Sequence, residues 1–131
     1  MLTRDQIRGH LDQLGLSSRI DDDGDLMIAL DPDENFGHPV LINIIVEPNR
    51  VSFIGAALGY EPAGDPLVLA NRNNARRNYP TAVVRNGQVR MEYSVYISEE
   101  VSDDFIRNFC LRSVMSSIWS AYVDLEKENI D

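Results

Sequence analysis

Two apolar runs separated by a short turn constrain the fold of this chain more than any other feature. Val40–Val46 is almost continuously apolar, and Val51–Leu58 is nearly so. Pro48-Asn49 between them suits a turn with proline at its first central position, so the runs are predicted to pair as antiparallel strands. Antiparallel strands with two apolar faces lie in the centre of a sheet and need cover on each side.

Simple pairing about this turn predicts which residues share a face. It places Val46 beside Val51, Ile44 beside Phe53 and Ile42 beside Gly55. Because alternate residues of a strand point to opposite sides, the other face carries a second apolar set. We predict this set to be a dimer or client surface, and it comprises Leu41, Ile45, Ile54 and Ala56.

Asp23-Gly24 indicates a hairpin that precedes these strands. A two-residue loop would set Ile20 opposite Met27 and put apolar residues opposite charged ones. A three-residue loop with Gly24 in a bulge sets Ile20 opposite Leu26 and keeps the apolar side chains on one face. The bulged register is therefore the one predicted.

Asn86-Gly87 is the preferred dipeptide of a type I′ hairpin turn. It predicts strands over residues 79–85 and 88–97, with one buried and one solvated face. The predicted pairs on the buried face are Val84–Val89, Ala82–Met91 and Pro80–Tyr93. A proline near the start of a strand favours an edge position.

Three helices complete the pattern, over about residues 4–14, 66–77 and 102–128. The first begins with a Thr3–Gln6 capping box and the second with Asp65 as N-cap before a proline. In the third, a stripe at helical spacing contains Phe105, Phe109, Arg112, Met115, Trp119 and Tyr122. A second set of apolar residues widens this stripe: Ile106, Cys110, Val114, Ile118 and Leu125. The chain is thus predicted to be one α+β domain over residues 1–131, with an antiparallel sheet of about six strands flanked by helices in the order α-ββ-ββ-α-ββ-α.

Residues 69–84, which run from the second helix into the next strand, resemble the corresponding segment of YbjN domains. The hairpin that follows and the long helix bearing Trp119 are similar too. The resemblance implies the fold of type III secretion chaperones, a helix-flanked antiparallel sheet that usually forms dimers. It also implies a role in regulation or in binding extended segments of protein clients, and it brings no catalytic residues.

Charge and cysteine content narrow the classes of partner. The formal net charge is -9, and phosphate binding needs concentrated Lys and Arg, so neither nucleic acid nor an anionic membrane surface is an expected partner. Cys110 is the only cysteine, which excludes an internal disulfide. The first residues lack the apolar core of a signal peptide. These features predict a cytoplasmic protein.

The charge is unevenly distributed along the chain. Residues 19–34 hold one arginine against seven acids, whereas residues 65–90 hold five arginines against one aspartate. A local basic patch is usually a solvated face or an intramolecular complement to acids. Arginine can also clamp an acidic ligand or peptide next to an aromatic ring, and the residues predicted for that role are Arg72, Arg76, Arg77 and Tyr79.

The sequence does not match the motifs typical of calcium loops, zinc sites, phosphate loops or catalytic nucleophiles. An EF-hand loop that starts at Asp21 would need glycine and glutamate where Leu26 and Pro32 stand. His10 and His38 lack zinc-ligand spacing, and no phosphate loop or nucleophile elbow is present. The sequence therefore predicts no catalytic residue, no metal site and no cofactor.

Two hypotheses follow. The first is a non-enzymatic, chaperone-like or regulatory interaction protein that acts as a homodimer and binds a protein partner. The alternative is a binding module for a small acidic ligand or nucleotide at the arginine patch.

Overall fold

The computed structural model describes residues 2–98 and 100–130 of the chain. In that part, six strands form one antiparallel sheet in the order β1-β2-β3-β4-β6-β5. The strands are β1 (Arg19–Ile20), β2 (Leu26–Leu30), β3 (Val40–Glu47), β4 (Arg50–Ala57), β5 (Thr81–Arg85) and β6 (Gln88–Tyr96). The helices are α1 (Arg4–Gln13), α2 (Pro66–Arg76) and α3 (Val114–Ile130), and a π-helical segment (Phe105–Ser113) leads directly into α3. The predicted fold class and element order are confirmed.

The two apolar runs form β3 and β4 at the centre of the sheet. Their register pairs Ile44 with Phe53 and Ile42 with Gly55, as predicted. The side chains of Ile42, Ile44 and Phe53 are fully buried. A central position is favourable for these strands because it removes more of their apolar side-chain surface from water than an edge position would.

The β1–β2 hairpin has the predicted bulged register, with Ile20 opposite Leu26. Gly24 takes a φ of 86°, a left-handed conformation that costs glycine little. The Asp21 carboxylate accepts backbone N–H groups from Asp23 at 3.0 Å and Asp25 at 2.9 Å. The acidic turn is thus held together by its own aspartate side chain.

The β5–β6 hairpin also has the predicted register, with Ala82 opposite Met91. β6 continues past the hairpin and pairs with β4, which leaves β5 at the edge. The predicted strand pair between Pro80 and Tyr93 is wrong, because β5 begins only at Thr81. Proline lacks an N–H for the ladder, so the strand starts after it.

Helix α2 begins at the predicted N-cap, where Asp65 accepts the Leu67 N–H at 3.0 Å. Its polar second half is tied to the edge strand by amide side chains. Asn73 is buried and donates to the Pro80 carbonyl at 3.1 Å, while Asn74 exchanges two hydrogen bonds with the Ala82 backbone. Hydrogen bonds from these amides thus dock the polar second half of the helix, while Leu69 and Ala70 are buried in the core.

The helices of the described residues pack on one face of the sheet, where α3 comes closest to β4. A Cβ added to Gly55 would lie 2.8 Å from Ile118 Cγ2. The Tyr122 hydroxyl lies 2.7 Å from the Val89 carbonyl oxygen and 3.1 Å from that of Gly55. An aromatic cluster closes one end of this layer, where the Phe36 and Tyr122 rings stack at 5.5 Å.

The last helix departs from the predicted continuous α-helix. Residues Phe105–Ser113 are π-helical and only Val114–Ile130 is α-helical. The predicted stripe is therefore wrong at its start, where Phe105, Phe109 and Arg112 are exposed. Ile106 and Cys110, which were predicted to widen the stripe, are buried. A wider helical turn rotates successive side chains differently from an α-helix, so a stripe drawn at the α-helical period leaves the core.

Candidate functional site

The predicted dimer or client surface lies on the sheet face opposite the helices. Leu41, Ile45, Ile54 and Ala56 all point to this open face, and each is partly exposed. Among the described residues no helix or loop covers the middle of it. The sequence predicted that β3 and β4 need cover on both faces, and the described residues provide it on one.

The register extends the apolar set across the neighbouring strands. Ala29, Leu41 and Ala56 stand side by side on β2, β3 and β4. Met27 and Ile54 flank Asn43 in the adjoining row. The centre of the open face is therefore apolar over three strands.

Polar side chains on the open face are partly satisfied within the sheet. Asn43 donates to the Asp21 carboxylate at 2.8 Å, and the Ser52 and Ser94 hydroxyls lie 2.8 Å apart. Such pairs lower the cost of removing the face from water, because polar groups that are already hydrogen-bonded lose little on burial.

Charges collect at the two sides of the open face with opposite sign. On the β1–β2 side, Asp21 and Asp25 stand beside Arg19, and Asp31 follows the end of β2. On the β5–β6 side, Arg85 and Arg90 stand against Glu92, which lies 3.8 Å from Arg85. The Arg90 Nε is buried and has no hydrogen-bond partner in the described part of the chain.

The three arginines of the predicted patch lie together and face acids of α3. Arg72 and Arg76 both pair with Glu128, at 3.3 Å for Arg72, and Arg77 pairs with Asp124. Tyr79 stacks on Tyr93 at 4.9 Å. A small acidic ligand at this patch would have to compete with two carboxylates that already occupy the guanidinium groups.

A second apolar surface was missed in the sequence. The Phe105 and Phe109 rings of the π-helical segment stack at 4.9 Å, with 37% and 47% of each residue exposed. Their spacing is that of a core stripe in an α-helix. The feature that distinguishes them from core residues is the change in helical period before Val114. Exposed, stacked aromatic side chains are typical anchors of protein interfaces.

Both histidines contact neighbouring groups of the fold. His10 is buried. Its Nδ1 lies 3.3 Å from Arg107 Nη2, and its Nε2 lies 3.7 Å from a carboxylate oxygen of Asp103. His38 Nδ1 lies 3.2 Å from the Leu58 carbonyl. Burial raises the pKa of the Cys110 thiol to about 12, which removes the thiolate needed for nucleophilic chemistry.

Comparisons with known proteins add no relative. No family model matches the sequence, and no curated protein matches it. The resemblance to YbjN domains therefore stays a prediction. Across residues 2–98 and 100–130, no helix combines the length and apolar character needed to cross a membrane.

Proposed function

We propose that this chain is a non-enzymatic, chaperone-like or regulatory domain that acts as a homodimer and binds a protein partner. The observation that carries the proposal is the open face. Its apolar centre spans β2, β3 and β4 and lacks a cover among the described residues. Contiguous apolar surface of this kind typically marks a protein–protein contact.

The exposed Phe105–Phe109 pair supports the second half of the proposal. It lies on the π-helical segment, in a different element from the open face. Two separate apolar surfaces suit a protein that contacts both a second copy and a partner. The arginine patch supports the alternative hypothesis less well, because its three guanidinium groups already pair with Glu128 and Asp124 of the same chain.

Affinity capture tests the partner. The wild-type chain, a Phe109→Ser variant and a Leu67→Ser control would each be used as bait in lysate of the source cell. Leu67 is 61% exposed on α2 and belongs to neither surface, so its variant controls for the loss of any exposed apolar side chain.

We expect the wild-type and control baits to enrich the same proteins. The enrichment of these proteins should be at least about fivefold lower on the Phe109→Ser bait. Repeated captures without an enriched protein would contradict partner binding. Light scattering after size exclusion tests the homodimer, and a monomer mass at about 100 µM protein would contradict it, because a working dimer of standard interface size holds together at that concentration.

A further inference from the structure

The open face has the size and composition of a self-association surface. β3 and β4 have eight residues each, or about 26 Å, and six strands span about 24 Å. Allowing for the shorter outer strands, the flat area is about 500–600 Å² per copy. Projecting side chains enlarge the accessible area, which approaches the roughly 800 Å² per partner of a standard interface.

Two copies can stack face to face about a two-fold axis in only two principal ways. With the axis parallel to the strands, the β1–β2 side of one copy lies over the β5–β6 side of the other. With the axis perpendicular to the strands, the β1–β2 side of one copy lies over the β1–β2 side of the other, and the two β5–β6 sides also lie over each other. The first arrangement brings unlike charges together and the second brings like charges together, which costs free energy.

The positions of two exposed charges sharpen this choice. Leu30, Val40, Ala57 and Val89 lie in one row across the sheet, and Val84 continues it on β5. Asp31 and Arg85 each lie one residue beyond that row, on opposite sides of the sheet. An axis parallel to the strands between β3 and β4 preserves position along them and sets β2 over β6, so Asp31 of one copy lies over Gln88 of the other, one strand from Arg85, twice per dimer.

We propose that the open face is the homodimer interface, with the two sheets stacked about a two-fold axis parallel to the strands and the acidic side of each over the basic side of its partner. This inference rests on the proposed homodimer and specifies its surface. The resulting dimer has four layers, with the helices of each copy outside and the two sheets inside. Aligned packing at about 30° between the sheets is the geometry such layers favour.

The centre of the interface is tested with Ile54→Asp. Ile54 lies on β4, near the expected axis, so each dimer would bury two uncompensated carboxylates. Leu67→Asp is the matched control, since it puts the same charge on an exposed apolar site outside the sheet. Light scattering at about 100 µM should give a dimer for wild type and control and a monomer for Ile54→Asp, a loss of affinity of at least about a hundredfold.

Circular dichroism and cooperative urea unfolding establish that Ile54→Asp is folded. If folded Ile54→Asp remains dimeric, the inference is overturned while the homodimer itself survives. A monomeric wild type overturns both. A variant that fails to fold is replaced by Leu41→Asn and Ala56→Asn, and a dimer in both of these also overturns the inference.

The orientation is tested by charge reversal. Arg85→Glu and Asp31→Arg should each weaken self-association by about tenfold, because each reversal acts twice per dimer at about 0.7 kcal/mol a pair. A mixture of the two variants carries acids on one chain and arginines on the other, so heterodimers should form and regain affinity. Unchanged single variants, or a mixture without preferential heterodimers, would overturn the strand-parallel axis.

Discussion

Replacing Gly55 by alanine tests the closest approach between the helix layer and the sheet. Gly55 is buried in the middle of β4, and an added Cβ would lie 2.8 Å from Ile118 Cγ2 and 3.5 Å from the Met91 carbonyl oxygen. Ordinary contacts of a Cβ begin near 3.4 Å. Helix α3 would therefore have to move by about 0.6 Å or more, or Ile118 would have to leave its rotamer.

The expected cost follows from two opposing effects. Ile118 is fully buried, and overpacking a dense core costs about 1–3 kcal/mol. Alanine also restricts the unfolded chain, which returns about 0.4–1 kcal/mol. We therefore expect Gly55→Ala to lower the free energy of unfolding by about 1–2 kcal/mol.

Urea unfolding followed by circular dichroism and Trp119 fluorescence measures this change, at one fixed protein concentration because association adds apparent stability. Gly9→Ala is the control: its Cβ would meet no atom within 4 Å, and in the exposed side of α1 it should stabilise by about 0.5–1 kcal/mol. A Gly55→Ala protein as stable as wild type would refute the close approach.

A double-mutant cycle identifies the clashing partner. Ile118→Ala removes the Cγ2 atom that the new Cβ would meet, so the two substitutions should cost less together than separately, by about 1 kcal/mol or more. Additive costs would show that the strain of Gly55→Ala lies elsewhere.

Three further changes have defined outcomes. In the folded protein at pH 8, the Cys110 thiol should react with a disulfide reagent at least about a hundredfold slower than in urea, since burial raises its pKa to about 12; equal rates would contradict its burial. Tyr122→Phe should cost about 1–2 kcal/mol in urea unfolding, because the Val89 and Gly55 carbonyls lose their hydroxyl donor; an unchanged midpoint would contradict that bond. Burial and the neighbouring carboxylates raise the pKa of Asp25, so its ionised form destabilises the fold above that pKa. Asp25→Asn should be the more stable protein at pH 7, by less than about 1 kcal/mol, and the difference should disappear as the pH falls through the raised pKa of Asp25 toward its ordinary value of 3.8; a constant difference would contradict the shift.

The sheet could be predicted because its local signals agree with its long-range packing. The Gly24 bulge and the Asn86-Gly87 turn each fix a register that also keeps apolar residues on one face. The Pro48 turn pairs two runs that are apolar on both faces, which places them at the centre of the sheet. Only at Pro80 did an alternating pattern extend past the real strand start. Capping residues located the helix starts in the same way.

The remaining features depend on information that is not local. The period of the last helix changes between Ser113 and Val114, and an apolar-rich segment satisfies both periods, so the exposure of Phe105 and Phe109 was hidden. Arg76 and Arg77 formed a basic cluster in sequence, but their acids lie about 50 residues away on α3. The residues of the open face were predicted to share one side of the sheet, whereas the packing of the described helices on the other side depends on contacts distant in sequence.

The ladder between β4 and β6 divides the chain into two contiguous halves. Everything on one side of it, from α1 to β4, precedes the loop at residues 58–65, and everything on the other side follows that loop. The halves meet through seven paired positions from Arg50 to Ala56. They also meet through the last helix, which contacts Gly55, Phe36 and His10 of the first half. Each half closes its own hairpins between strands that are close in sequence. A cut at the loop would therefore leave every described strand intact, and the two pieces would be held together by one strand ladder and by a helix of the second piece that lies across the first.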